Sequence, residues 1–244
     1  MSTKAMKTPN AVLHCNPLLY GSLFSGYGGM DRGLDAAGLK CSYQVELMPD
    51  AREVLATYWP EVPKHDDIRT FEPRYTDIIA GGFPCQDISS SGAKAGIVGA
   101  KSGLWSEYHR VIDTVRPRVV IVENVADIAF RGLARVVSDL AGIGFAAGWR
   151  VFCSSEFGFP FMRRRLFMVA CPDSHSKPVR AIYAKVAGMP SVAKDRWERT
   201  LRELAGNPRA SDGFPSRVQR CRGIGNAVIP AMAEWIARRV IEFV

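Results

Sequence analysis

Cys85 stands in the stretch Gly81-Gly82-Phe83-Pro84-Cys85-Gln86-Asp87-Ile88-Ser89-Ser90-Ser91-Gly92, directly after the apolar run Ile78-Ile79-Ala80. A structural cysteine would sit inside the apolar run. This one sits just beyond it, at the start of a serine-rich loop that can present a thiol to a ligand. Three glycines, Gly26, Gly28 and Gly29, follow the apolar stretch 17–24 in the same way. Glycines after a strand let the backbone turn tightly and approach a ligand, with the amides of the next helix facing it. The pattern is G-x-G-G and not the dinucleotide G-x-G-x-x-G, so it indicates a nucleotide-like cofactor without naming one. Glu46 ends the second apolar strand twenty residues after Gly26, where a carboxylate can accept hydrogen bonds from ribose hydroxyls. Glu123 follows Val-Val-Ile-Val, and a carboxylate there is costly to bury unless it is hydrogen-bonded or kept for function. Arg163 and Arg165 alternate at the head of a later strand, so both can point toward one anion or carboxylate. Each feature alone has an ordinary reading: a turn, a solvated strand end, a solvated edge.

Strands and helices alternate in the elements that must position these groups. Strands are expected at 17–24, 41–47, 64–71, 75–82 and 116–125, with helices at 29–38, 49–59, 103–115 and 133–145. Two further strands at 149–160 and 163–171 are expected to meet at a Gly/Pro corner. That alternation predicts an α/β fold with a mostly parallel, doubly wound sheet, whose C-terminal strand ends share one ligand-binding rim. The pattern lapses from Pro172 to Arg222, which is polar, basic and rich in proline, with one helical segment at 192–206. An amphipathic helix is expected at 225–243.

Composition bounds the partners. The chain has 244 residues, 47% hydrophobic and 23% charged, as in a globular protein. No apolar run reaches the roughly 18 to 20 residues of a membrane span. The N-terminal residues lack a signal-peptide apolar region, so nothing suggests export. The six cysteines include no C-x-x-C pair, which argues against a zinc site or a disulfide framework and fits a reducing cytoplasm. The net charge of +8 divides unevenly: 13 Lys/Arg against 15 Asp/Glu in residues 1–130, and 19 against 9 in residues 131–244. The basic excess therefore lies in the C-terminal half. It is read either as a solvated surface or as a face for a polyanion, since Lys and Arg neutralising phosphate dominate nucleic-acid affinity.

In order, "SLFSGYGGMDRG", Glu46, "GGFPCQDISSSG", "ENV", "MRRRLF" and "GIGNAVIP" resemble the motifs of the cytosine carbon-5 DNA methyltransferases. The resemblance covers nearly the whole chain outside Pro172–Arg222. It implies a Rossmann-like methyltransferase fold with a seven-stranded sheet, S-adenosylmethionine as cofactor, S-adenosylhomocysteine as product, no metal, and double-stranded DNA as partner. It puts Cys85 in the role of nucleophile at cytosine carbon 6 and Glu123 at ring nitrogen 3, with Arg165 helping to hold the base and its adduct and Arg163 beside it. The cofactor would lie against Phe24, Gly26, Tyr27, Gly28 and Gly29, with Glu46 on the ribose and Leu47, Asp67 and Ile68 around the adenine. Pro84 and Leu104 would form the remaining wall, and Asn226 and Val228 would close the pocket. Gln86, Ser89 and Ser91 are candidate DNA contacts on a closing loop. The target base must flip out of the duplex for this chemistry.

Departures from the family pattern are specific. Phe161 and Met162 stand where a glutamine and a lysine usually precede the first arginine, Arg164 replaces an acidic residue, and Leu47 replaces a frequent aromatic. The expected organisation is a catalytic core over 1–171, a short basic insertion acting as a reduced target reader over 172–222, and a helix packing back over 223–244. Base-edge contacts carry specificity, so about fifty residues of reader imply a relaxed target or a second subunit that supplies recognition. Compact members of this kind suggest a phage or prophage source, and a cytoplasmic, nucleoid-associated location in a bacterial cell. Two other readings compete: an RNA cytosine methyltransferase, whose nucleophile loop reads Cys-Phe-Thr against Cys85-Gln86-Asp87 here, and a non-catalytic DNA-binding protein that retains the fold.

Overall fold

A computed structural model of the chain describes residues 17–84, 104–175 and 228–244. Their elements run β1 (Leu19–Leu23), α1 (Gly29–Ala36), β2 (Lys40–Val45), α2 (Pro49–Tyr58), β3 (Lys64–His65), β4 (Ile78–Gly81), α3 (Leu104–Val115), β5 (Val119–Val125), α4 (Ile128–Arg131), α5 (Leu133–Gly142), β6 (Phe145–Cys153), β7 (Arg164–Pro172) and α6 (Pro230–Ile241). The seven strands form one sheet in the order β3-β2-β1-β4-β5-β7-β6. The five strands β1–β5 pair in parallel, while β7 is antiparallel to both β5 and β6. The chain winds outward from β1 through β2 to β3, then crosses back to β4. The switch point therefore lies between β1 and β4, where an open α/β sheet leaves a crevice.

Each face of the sheet carries its own apolar cluster. Tyr20, Ile78, Ile121 and Phe167 face α1 and α6 on one side, with Leu34, Met232 and Trp235. Leu23, Ile79, Val120 and Met168 face α3 and α5 on the other, with Tyr108, Ile112 and Leu140. Both faces of β5 are thus covered, which is why its sequence is a continuous β-branched run. Helix α1 ends where the amides of Gly38 and Leu39 return to the carbonyls of Asp35 and Leu34, at 2.9 and 3.2 Å. Pro49 begins α2, where its missing N–H costs nothing. Among the described residues no helix is long and apolar enough to cross a membrane.

Several boundaries differ from the sequence expectation. The strand expected over 64–71 keeps only Lys64–His65, and those expected from 75 and 116 begin at Ile78 and Val119. The helix expected to reach Phe145 stops at Gly142, because Gly144 turns the chain at φ +77° and β6 begins at once. The strand expected over 149–160 ends at Cys153, and Ser154–Phe157 form a turn of 3₁₀ helix closed by Gly158. Within the described stretch 228–244 the C-terminal helix begins at Pro230, since proline forces an extended residue before it and Ile229 has φ −75° and ψ 115°; residues 225–227 of the expected helix lie outside the described residues.

Helix α6 lies close against α1. A Cβ on Gly33 would stand 2.4 Å from the Pro230 carbonyl and 2.6 Å from the Ala233 Cβ, and one on Gly29 would stand 2.3 Å from the Val228 carbonyl. Gly33→Ala is expected to cost about 1–3 kcal/mol through overpacking, visible as a Tm lowered by several degrees in a thermal melt.

Candidate active site

The strand registers put four chain segments on one rim. Leu23 at the end of β1 pairs with Gly81 at the end of β4, and Gly81 pairs with Val122 of β5. Val125 pairs with Arg165, so antiparallel β7 brings its N-terminal end to the C-terminal ends of the parallel strands. The glycine turn, the Gly82–Pro84 segment, Glu123 and the two arginines therefore meet at one edge of the sheet.

The glycine turn is built from left-handed residues. Gly26 and Gly28 have φ of +55° and +77°, conformations that cost side-chain-bearing residues about 1 kcal/mol or more. Phe24 adopts φ +54° despite its side chain, and its ring stacks on Tyr108 at 6.1 Å between centroids. Strain of this kind, held in place by packing, concentrates at ligand sites. The Ser25 amide donates to the Val45 carbonyl at 3.1 Å, and Gly28 donates back to Ser25 at 3.0 Å. Gly28 caps α1, whose first-turn amides lack partners inside the helix.

Glu46 locks this turn to β2. Its Oε2 accepts the Gly26 amide at 2.7 Å and its Oε1 accepts the Met48 amide at 2.8 Å. Burial raises its pKa, while those two amides and Arg52 pull it down. Arg52 Nη1 donates to the Glu46 and Leu47 carbonyls at 2.8 and 2.6 Å, which fixes the β2–α2 corner. Tyr27 donates its hydroxyl to Asp50 at 2.8 Å across the same corner. Leu47 leaves its side chain 59% exposed beside the turn.

Beyond β3, the Arg69 guanidinium lies 2.5 Å from the Asp67 carboxylate and lowers its pKa to about 2. The Ile68 side chain points into the core beside Leu23 and Phe71, and Arg110 of α3 clasps the Ile68 and Phe71 carbonyls at 2.7 and 3.2 Å. Leu104 opens α3 and packs against the core on the Phe24 side. Val228 lies before α6, with its carbonyl against Gly29.

Glu123 is 6% exposed, and its Oε1 forms an ion pair with Arg165 Nε at 2.9 Å. Burial raises its pKa to about 7, although the cations of Arg165 and Arg163 both pull the other way. Burial is also the largest cause lowering Arg163 to about 10, with repulsion from Arg165 adding to it and attraction to Glu123 opposing it. A carboxyl that titrates near neutrality beside two guanidinium groups can give and take a proton at physiological pH.

Two residues join this carboxyl to the cysteine loop. A Cβ on Gly82 would stand 2.8 Å from Glu123 Oε2 and 3.1 Å from the Glu123 carbonyl, so only glycine leaves the carboxylate its place. Asn124 donates through Nδ2 to the Phe83 carbonyl at 3.2 Å, two residues before Cys85. Neither residue received a role from the sequence. The signals were a second consecutive glycine past a strand end and a buried amide next to a buried acid. Cys85, Gln86, Ser89, Ser91 and Asn226 lie outside the described residues; Pro84, the last described residue before Cys85, continues directly from the Glu123-facing segment.

The C-5 cytosine-specific DNA methylase family model matches residues 19–213. The chain belongs to this family. It is 34% identical over 158 residues to the Type II methyltransferase M2.BsuMI of Bacillus subtilis (strain 168), covering 61% of this chain and 41% of that protein. It is 25% identical over 211 residues to the Type II methyltransferase M.DsaV of Dactylococcopsis salina, covering 84% and 60%. The chain thus spans about half the length of the curated methylases it matches. Among solved structures, a prophage-encoded protein of E. coli assigned as a DNA modification methyltransferase shares the fold at TM-score 0.67 and 17% identity, covering 93% of this chain and 99% of that one. The S. pombe Dnmt2 methyltransferase shares it at TM-score 0.54 and 22% identity, over 64% of this chain and 51% of the other. The methylase fold and its seven-stranded, mostly parallel sheet agree with the sequence expectation. The cytosine carbon-5 methylase family uses S-adenosylmethionine.

Proposed function

We propose that this chain methylates carbon 5 of cytosine in double-stranded DNA, using Cys85 as nucleophile and S-adenosylmethionine as methyl donor. The observation that carries this reading is the buried Glu123–Arg165 pair, fitted through Gly82 and Asn124 to the segment that leads straight into Cys85.

The glycine turn fits the cofactor. Among the described residues, nothing stands within 4 Å of the position a Gly26 Cβ would take, which leaves room for a ligand at the turn. Each Glu46 oxygen holds one backbone amide and retains acceptor capacity for a ribose hydroxyl. Phe24, Tyr27, Gly28, Gly29, Leu47, Asp67, Ile68, Pro84, Leu104, Asn226 and Val228 would form the rest of the pocket. When bound, S-adenosylmethionine supplies the electrophilic methyl group that carbon 5 takes, leaving S-adenosylhomocysteine.

The chain's own groups prepare that carbon. The Cys85 thiolate adds to carbon 6, forming the S–C bond and driving the ring electrons toward carbon 5 and nitrogen 3. Protonated Glu123 hydrogen-bonds nitrogen 3 and transfers its proton as charge builds there. Arg165 and Arg163 keep the base and the emerging Glu123 carboxylate in place. A water molecule then takes the carbon-5 proton; the C–H electron pair restores the ring double bond and expels Cys85 as thiolate, and nitrogen 3 gives its proton back to Glu123. The base is flipped out for this, with Gln86, Ser89 and Ser91 on the DNA side. The basic C-terminal half faces the phosphates. The short 172–222 insertion implies a relaxed target or a second subunit that reads it. A bacterial or phage-infected cytoplasm is the setting such a modification enzyme requires.

Incubation with methyl-labelled S-adenosylmethionine and either unmethylated bacterial DNA or total RNA, followed by nucleoside analysis, tests the substrate. Labelled 5-methyl-2′-deoxycytidine from the DNA is expected. Labelled 5-methylcytidine from RNA alone would transfer the reading to RNA. Cofactor binding with neither product would favour a non-catalytic DNA-binding protein. Glu46→Gln replaces one acceptor by a donor that faces a backbone amide. It is expected to weaken S-adenosylhomocysteine binding about tenfold or more by calorimetry, corresponding to one charge-assisted hydrogen bond.

A further inference from the structure

Asp31, in the first turn of α1, has no exposed surface at all. Its Oδ1 accepts the Gln44 amide at 2.9 Å and lies 3.9 Å from the Cys41 thiol. Among the described residues, its Oδ2 and the Gln44 Oε1 are both buried without a hydrogen-bond partner. Among the described residues no cation forms an ion pair with it. The other titratable groups facing it are Asp35 on α1, Tyr20 on β1, Cys41 on β2 and Lys64 at β3. Tyr20 donates to Asp35 at 2.8 Å, and Lys64 is turned to the Trp59 and Val62 carbonyls. On the outer side of α1, Glu234 and Arg238 of α6 pair with each other at 2.9 Å.

Such a carboxylate is unfavourable for the fold. Burial raises its pKa to about 6, against the lowering by Gln44 and Ser22. A raised folded pKa means that the group's stabilising contribution is complete below its unfolded value, near pH 4, and is lost as pH rises through about 6. At neutral pH the protein holds an anion that asparagine would replace without that penalty.

Its position suggests why. Gln44 stands two residues before Glu46. Ser22, beside the carboxylate, shares a 2.8 Å hydrogen bond with Ser25 of the glycine turn. We propose that Asp31 is a positioning residue for cofactor binding: as the anion it ties the start of α1 to Gln44, next to the Ser22–Ser25 pair, and so holds the glycine turn and Glu46 in register. Protonation weakens the charge-assisted bond from Gln44 and loosens that register. The inference rests on the cofactor site proposed above.

Calorimetric titration of the whole protein with S-adenosylhomocysteine between pH 5 and 8 tests it, alongside Asp31→Asn and Gln44→Leu. Wild-type affinity is expected to fall about tenfold as pH drops through about 6. Asp31→Asn is expected to bind about tenfold more weakly at pH 8 and to lose the Asp31 share of the pH dependence, while its Tm at pH 8 equals or exceeds wild type. Any titration of Glu46 persists in that variant, so the difference between the curves belongs to Asp31. Gln44→Leu removes a donor that favours the anion and is expected to move the midpoint to higher pH, which tests the idea even if the first variant folds poorly. Asp31→Asn with wild-type affinity at every pH, or with a lowered Tm as its only change, overturns the proposal and leaves the cofactor site standing. A wild-type protein that binds no S-adenosylhomocysteine at any pH overturns the cofactor site, and this role with it.

Discussion

Replacing Glu123 by glutamine is expected to lower kcat by about 10²- to 10⁴-fold while leaving S-adenosylhomocysteine affinity unchanged. Glutamine keeps the volume of Glu123 and an acceptor for Arg165, but it cannot give a proton to the ring nitrogen. The fold should tolerate the change. With a pKa near 7, Glu123 is already half protonated at neutral pH, so the native protein accommodates a neutral side chain beside Arg165 and Arg163. The sign of the pH effect follows from the same shift. Because burial raises this carboxyl, its contribution to stability is present below about pH 4.5 and is lost as pH rises through about 7. Activity that needs the protonated form must fall along the same limb. The kcat/KM profile of the wild type should show an alkaline limb with a midpoint near 7, and that limb should be missing from the residual activity of Glu123→Gln. An unchanged profile in the variant would place the titrating group elsewhere.

Gly82→Ala is expected to cost about 10²-fold in kcat with a Tm only a few degrees below wild type. The added methyl would stand 2.8 Å from Glu123 Oε2, inside any tolerated contact, and 3.1 Å from the Glu123 carbonyl, which β5 holds fixed. Either the carboxylate swings away from its position against Arg165, or the Gly82–Pro84 segment lifts and carries Cys85 with it. Both displace reacting groups by the order of an ångström, which is worth about 10²-fold in rate. Overpacking of this kind costs about 1–3 kcal/mol, or several degrees. Gly81 makes the contrast, since a Cβ there would stand 2.0 Å from the Leu23 carbonyl of the neighbouring strand and would disrupt the sheet itself. Steady-state rates and thermal melts of the Gly82 variant separate the two effects. Wild-type kcat would show that the segment does not couple to Glu123.

Much of the architecture was legible because it is written in local patterns. The Val119–Val122 run declared a strand covered on both faces, Pro49 marked a helix start, and the glycines after Leu23 marked a turn at a strand end. Neighbour relations between strands have no such local signature. The insertion of antiparallel β7 between β5 and β6 is a tertiary fact, and the Glu123–Arg165 pair depends on it through the Val125–Arg165 register. From sequence, Arg163 and Arg165 could be aimed only at an unspecified anion; the sheet order supplies the carboxylate. Gly144 and Pro230 shifted element boundaries by overriding the surrounding apolar periodicity. The Gly82 contact and the Asp31 anchor were not legible at all, since both depend on what a backbone meets across the fold.

The most direct test of the account is bisulfite sequencing of DNA from methylation-free bacterial cells that express the protein, beside cells that express Cys85→Ala. Protected cytosines in a recurring sequence context, absent from the Cys85→Ala cells, are the predicted result. Their flanking bases would show how much target reading the 172–222 insertion supplies. Soluble wild-type protein with no protected cytosine, or protection that survives the loss of the Cys85 thiol, would contradict a DNA cytosine methylase built on this rim.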